Sequence, residues 1–106
     1  MEEGYMKFKI VQLKDIAGCP YAFRSYDYAK SHGFNFDDYK VVYEGDTDDF
    51  DLPYGSKEPN NILESLFAIF NNNHPEGYKG HSLSVSDLIE LDGLAYYCDS
   101  FSWTAL

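Results

Sequence analysis

Asp87-Leu88-Ile89-Glu90-Leu91, then Asp92-Gly93, then Leu94-Ala95-Tyr96-Tyr97-Cys98-Asp99 decides the fold of this chain. Two short apolar runs flank an Asp-Gly pair. That pair readily supplies the two consecutive positive φ angles of a type I′ turn, so the stretch predicts a β-hairpin. Upstream, Tyr5-Met6-Lys7-Phe8-Lys9-Ile10-Val11-Gln12-Leu13 alternates apolar and polar in its first half, with Lys7 and Lys9 turned to solvent together. It reads as a strand with one face buried. Tyr39-Lys40-Val41-Val42-Tyr43-Glu44 reads as another, closed by Gly45, and the tail from Phe101 to Leu106, with Trp103, is apolar enough to dock on the sheet.

Helices fill the intervals. Gly18 and Pro20 break the first strand, and Tyr21 to His32 predicts a short helix with Phe23, Tyr26 and Ala29 or Lys30 on one face and Gly33 as its left-handed cap. Pro59 suits the first turn of a second helix, where its missing N–H costs nothing, and Ile62, Leu63, Leu66, Phe67, Ile69 and Phe70 form the apolar face that follows. Gly45 to Glu58 lacks any hydrophobic period and reads as a loop, while Asn71 to Gly80 is turn chemistry that ends the helix. The elements describe an α+β domain: a mostly antiparallel sheet of four to five strands with two helices packed on one face.

The chain has 106 residues, 18 acids against 8 bases and a formal charge of −10. One domain spanning residues 1–106 is expected, without repeat or linker, and the acidic excess divides evenly between the two halves. With Arg24 the single arginine, the balance argues against direct nucleic-acid binding, because counterion release and bidentate phosphate contacts both need clustered Lys and Arg. No apolar run is long enough to cross a bilayer, and Met1-Glu2-Glu3-Gly4 is acidic where a secretory signal is basic, so a cytoplasmic protein with no membrane partner is expected. Cys19 and Cys98 lie in no metal-ligand spacing and read as small hydrophobes or free thiols.

Charge is concentrated in one place. Asp37, Asp38, Glu44, Asp46, Asp48, Asp49 and Asp51 put seven carboxylates into fifteen residues, with Lys40 as the only base. Such density repels nucleic acid and attracts a basic groove on a protein. A solvated loop that only aids solubility is the plain alternative. Calcium is the other: a binding loop begun at Asp46 satisfies positions one and three, but Asp51 stands at six in place of Gly and Lys57 at twelve in place of Glu. No cofactor or metal site is therefore expected. Nineteen aromatics exceed the needs of a small core, and Tyr21, Tyr26, Tyr28, Tyr39, Tyr43, Tyr54 and Tyr78 are candidates for partial exposure at a protein interface. The partner-binding set read from the chain is Glu44, Asp46, Asp48, Asp49, Asp51 and Tyr54.

Ingredients for catalysis are loose. His74 and Glu76 share a turn region with His81 and Ser82, and Asp99-Ser100 follows the last hairpin strand. Two histidines acting as acid and base on a phosphodiester would make a metal-independent ribonuclease, though the spacing matches no signature. The structural alternative gives His81 a hydrogen bond that fixes the loop entering the hairpin. Ser84, Ser86 and Asp87 read first as caps on backbone N–H groups at a tight turn.

Gly80-His81-Ser82-Leu83-Ser84-Val85-Ser86-Asp87-Leu88-Ile89-Glu90-Leu91, followed by Ala95-Tyr96-Tyr97-Cys98-Asp99-Ser100-Phe101, resembles the YodL-like domains carried by bacterial plasmids, conjugative elements and phages. Phe70-Asn71, His74-Pro75 and Tyr78 extend the resemblance, as do the strands Phe8 to Asp15 and Tyr39 to Gly45. Cys98 stands where the family usually has Val, a change a core tolerates, and Ser102 follows Phe101 where Gly is common. The resemblance implies an accessory protein of mobile DNA with no agreed catalytic residues. Small acidic proteins of that neighbourhood include anti-CRISPR inhibitors, so the expectation is a non-enzymatic protein that binds the basic groove of a host Cas9-type nuclease and blocks guide-RNA or DNA loading. The alternatives are a small ribonuclease acting on guide RNA and a non-enzymatic module of conjugation or plasmid maintenance.

Overall fold

The structure is a computed structural model that describes residues 6–52, 54, 58–72, 74–100 and 102–106. Strands β1 (Lys7–Leu13), β2 (Tyr39–Asp46), β3 (Leu88–Leu91), β4 (Leu94–Cys98) and β5 (Trp103–Ala105) are accompanied by helices α1 (Tyr26–Ser31) and α2 (Pro59–Asn72). The strands form one sheet in the order β2-β1-β3-β4-β5, every neighbouring pair antiparallel. The α+β class and the five antiparallel strands are as the sequence predicts. At the turn of the predicted hairpin, Asp92 has φ 52° and Gly93 φ 88°, the two positive angles a type I′ turn requires. The tail docks as β5, with Tyr97 opposite Thr104 and Cys98 opposite Trp103.

Helix α2 begins at Pro59 and presents Ile62, Leu63, Leu66 and Phe70, all fully buried, to Phe8, Ile10, Ile89 and Leu91 of the sheet. Asn71 ends it by bonding both backbone groups of Leu83, which ties the last helical turn to the chain approaching β3. The second core lies on the other side. Leu88 and Ile89 are consecutive in β3 and so project to opposite faces. Ile89 belongs to the α2 core, whereas Leu88 packs with Leu13, Tyr21, Ala29, Tyr39 and Tyr97 beneath α1. The two helices thus divide between the faces instead of sharing one, because the chain buries apolar side chains at both parities of β3.

Three local readings change. α1 starts only at Tyr26, since the Ser25 hydroxyl accepts from the Tyr28 N–H as its N-cap and Phe23, at φ 66°, cannot be helical. Tyr21 instead turns inward and is fully buried. Gly33, at φ 87°, follows the C-cap residue His32 as predicted. β2 runs through Gly45 to Asp46, with Gly45 opposite Phe8: a Cβ there would stand 3.0 Å from the Tyr43 ring and 3.3 Å from the Phe8 ring. Glycine ends nothing here; it lets two aromatic rings close over the strand. Between Ile10 and Val11 a register shift accommodates one extra residue of β2. Among the described residues no helix is long and apolar enough to cross a membrane.

Candidate functional site

The stretch read as an acidic loop is tethered at intervals. After β2 the chain makes one turn of 3-10 helix over Thr47–Asp49. Thr47 is buried: its Oγ1 accepts from the Met6 N–H at 3.0 Å, and its own N–H donates to the Met6 carbonyl at 2.8 Å. Phe50 and Leu52 then pack against the α2 core. With Thr47, Phe50 and Leu52 held inward, the intervening Asp48, Asp49 and Asp51 are left in solvent, and none forms an ion pair among the described residues. Tyr54 is 57% exposed, and its N–H donates to the buried Ser65 hydroxyl of α2 at 2.9 Å.

Glu44 and Asp46 behave differently. They share a sheet face with Lys9 and Lys7, their register partners. Lys7 Nζ lies 3.3 Å from Asp46, which is half-buried, and Lys9 Nζ lies 3.6 Å from Glu90. Two lysines thus offset part of the charge of Glu44, Asp46 and Glu90, whereas Asp48, Asp49 and Asp51 have no base paired with them among the described residues. Of the tyrosines taken as candidates for exposure, Tyr21 and Tyr39 are buried, Tyr26, Tyr28, Tyr43 and Tyr78 are half-buried, and Tyr54 alone is exposed. The buried ones spend their hydroxyls internally: Tyr21 donates to Asp38 at 2.8 Å and Tyr39 to the Ser86 carbonyl at 2.6 Å. Burial pushes both phenols, and Tyr97, above the ordinary tyrosine range.

A second constellation centres on Gln12, which the sequence reading passed over. Its parity in β1 is that of Phe8 and Ile10, and it is 1% exposed. Its amide nitrogen donates to the His81 carbonyl at 2.9 Å and to Asp87 Oδ2 at 3.1 Å, while its oxygen accepts from the His81 N–H at 3.1 Å. Asp87 also accepts from the Ser84 N–H at 2.9 Å, closing the tight turn as the caps predicted. Ser86 instead accepts from a distant backbone group, the Phe23 N–H at 3.0 Å, and the buried Ser84 hydroxyl caps nothing among the described residues. Burial pushes the Asp87 carboxyl up to about 6, against the lowering effect of the Ser84 N–H, His81 and Gln12. Both amide hydrogens of Gln12 being committed, none remains for His81 Nδ1 at 3.3 Å, and the ring donates Nδ1–H to the Ser82 carbonyl at 2.7 Å. His81 Nε2 is therefore the ring nitrogen without a hydrogen bond among the described residues.

The two histidines of the ribonuclease reading meet through Tyr78. The His74 ring lies 5.2 Å from the Tyr78 ring, and the Tyr78 hydroxyl donates to the His81 carbonyl. Neither imidazole hydrogen-bonds a carboxylate among the described residues. Cys19 and Cys98 are free thiols; burial pushes Cys98 up to about 12, which leaves it an unreactive core side chain. Phe101 lies outside the described residues.

Together these define a small α+β protein whose polar motif residues knot a β-sheet to the turn that enters its hairpin. A family model, the YodL-like domain, matches residues 7–106, and the chain belongs to that family. No curated protein and no solved structure gives a significant match.

Proposed function

We propose that this protein acts by stoichiometric binding, presenting Asp48, Asp49, Asp51 and Tyr54 to a basic groove on a host nucleic-acid-processing protein, with a Cas9-type nuclease as the target. One observation carries the reading: Thr47, Phe50 and Leu52 anchor the acidic segment, so its three unpaired carboxylates stand on an ordered edge. Ordered charge raises association rates and sets specificity without the ordering cost a free loop pays on binding. Glu44 and Asp46 contribute less, since lysines already lie against that face. Exposed Tyr54 adds a large aromatic surface with a polar tip beside the charge. Within the mobile-element setting that the family resemblance implies, such a surface competes with guide RNA or target DNA for the same lysines and arginines.

The test is titration of a Cas9-type nuclease, with and without guide RNA, reading both complex formation and DNA cleavage. The reading expects a complex of fixed stoichiometry that weakens as salt rises. Reversing Asp48, Asp49 and Asp51 to Lys leaves the Lys7–Asp46 pair in place and should abolish inhibition with unchanged circular dichroism. Unchanged potency in that variant removes the acidic edge from the mechanism. Guide RNA shortened by the native protein but not by His81→Ala would establish the ribonuclease reading instead, and recovery of relaxase or partition proteins from host lysate would establish the conjugation module.

A further inference from the structure

Three of the eight bases, Lys14, Lys40 and Lys79, together with His81, line one open groove of about 410 Å³ in a protein of charge −10. They come from three places in the chain: the end of β1, the start of β2 and the loop before β3. None of the three lysines pairs with a carboxylate among the described residues. Asp15 is the single acid on the groove among the described residues, and its Oδ1 accepts from the Gly18 N–H at 3.1 Å within its own turn. The lining also includes the apolar Leu13, Ile16 and Val42.

The groove is built from buried structure. Gln12, at its base, holds both backbone groups of His81, and Lys40 is the register partner of Gln12 across the β1–β2 ladder. Gly80 brings the loop against Gln12 so closely that a Cβ would run into the Gln12 oxygen and the Tyr78 hydroxyl. With His81 Nδ1 bonded to Ser82, the other ring nitrogen carries no hydrogen bond among the described residues. Uncompensated ammonium groups held around a preorganised polar base, with apolar side chains in the same lining, match the chemistry of a phosphate group carried on a small ring system. A volume of about 410 Å³ accommodates a mononucleotide and is too small to track a nucleic-acid backbone.

We propose that the groove formed by Lys14, Lys40, Lys79 and His81 is a binding site for a small phosphorylated ligand of nucleotide size. The acidic edge is a separate surface: Lys40 and Asp46 stand six residues apart in β2, about 20 Å, well beyond the screening length at physiological salt.

The experiment is a titration of the ¹⁵N-labelled full chain with pyrophosphate and with a nucleoside diphosphate, followed by amide and imidazole shifts at fixed ionic strength. The expected result is saturable shifts in residues 12–16, 40–42 and 79–81, with the nucleoside diphosphate the tighter of the two probes. The triple variant Lys14→Gln, Lys40→Gln, Lys79→Gln should weaken binding at least about tenfold, whereas Lys30→Gln on α1 should leave it unchanged. All four positions are exposed, so both variants should retain the native spectrum elsewhere. Shifts that do not saturate, that sodium chloride reproduces, or that survive in the triple variant overturn the proposal.

Discussion

Neutralising Asp87 by Asp87→Asn should reshape how stability depends on pH. The side chain is 2% exposed, and desolvation is the largest influence on its carboxyl, which titrates near 6 in the fold against 3.8 when exposed. A folded-state value above the unfolded one means the native protein holds the proton longer. The group therefore costs nothing well below pH 4, and the native state loses stability as pH rises from about 4 to about 6. The full interval corresponds to about 3 kcal/mol, reached above pH 6 to 7. Asparagine keeps one oxygen to accept from the Ser84 N–H and the Gln12 amide, the two bonds that Asp87 Oδ2 now accepts, and puts a neutral NH2 in place of the other carboxylate oxygen. Urea denaturation of both proteins at intervals from pH 4 to pH 8 gives the difference in unfolding free energy, and subtraction cancels the titrating groups that do not interact with Asp87, which His81 does. The variant should gain on the native protein by about 2 kcal/mol between pH 4 and pH 7, with most of the change below pH 6. A difference that stays constant across that range would refute the reasoning, for it would mean that the bonds from Ser84 and Gln12 fully replace the water the carboxylate gave up.

Two further substitutions address the knot and the hairpin. Gln12→Leu fits the parity of Phe8 and Ile10 but strands the His81 backbone and Asp87, so it should cost about 2–4 kcal/mol in denaturant unfolding and remove hydrogen-exchange protection at the His81 amide. Gly93→Ala forces a Cβ onto a residue at φ 88° in the type I′ turn and should cost about 1–2 kcal/mol, read as a lower thermal midpoint, although nothing stands within 4 Å to clash with it.

Much of the architecture was legible because local chemistry and burial agree. Asp92-Gly93 carries its turn conformation in its own side chains, Pro59 marks the helix it begins, and Ile62, Leu63, Leu66 and Phe70 recur at the period of the face they bury. Readings failed where a residue's role is set by a distant partner. Gly45 looks like a strand terminator until Phe8 and Tyr43 occupy the space a side chain would take. Tyr21 looks like the start of a helix, yet a serine cap and the positive φ of Phe23 postpone that helix and leave the ring for the second core. The two faces of β3 carried the missing clue to helix placement: Leu88 and Ile89 side by side announce a sheet buried on both sides.

The same reasoning separates the two candidate surfaces. The acidic segment was visible because its carboxylates crowd together in the chain, but the uncharged Thr47 and Phe50 between them are what anchor it; a buried threonine inside an acidic run is the signal to look for. The basic groove was invisible because Lys14, Lys40 and Lys79 lie far apart in the chain, and an acidic excess divided evenly between the halves suggested charge without polarity. Antiparallel pairing of β1 with β2 undoes that evenness. It sets Lys40 beside Gln12 at one end of β2 and carries Asp46 toward Asp48 and Asp49 at the other. A net charge of −10 therefore conceals one groove in which Lys14, Lys40 and Lys79 outnumber the acid Asp15. Exclusion of a long nucleic-acid backbone follows from that net charge, whereas binding of one phosphate depends on a few side chains and has to be read from their positions.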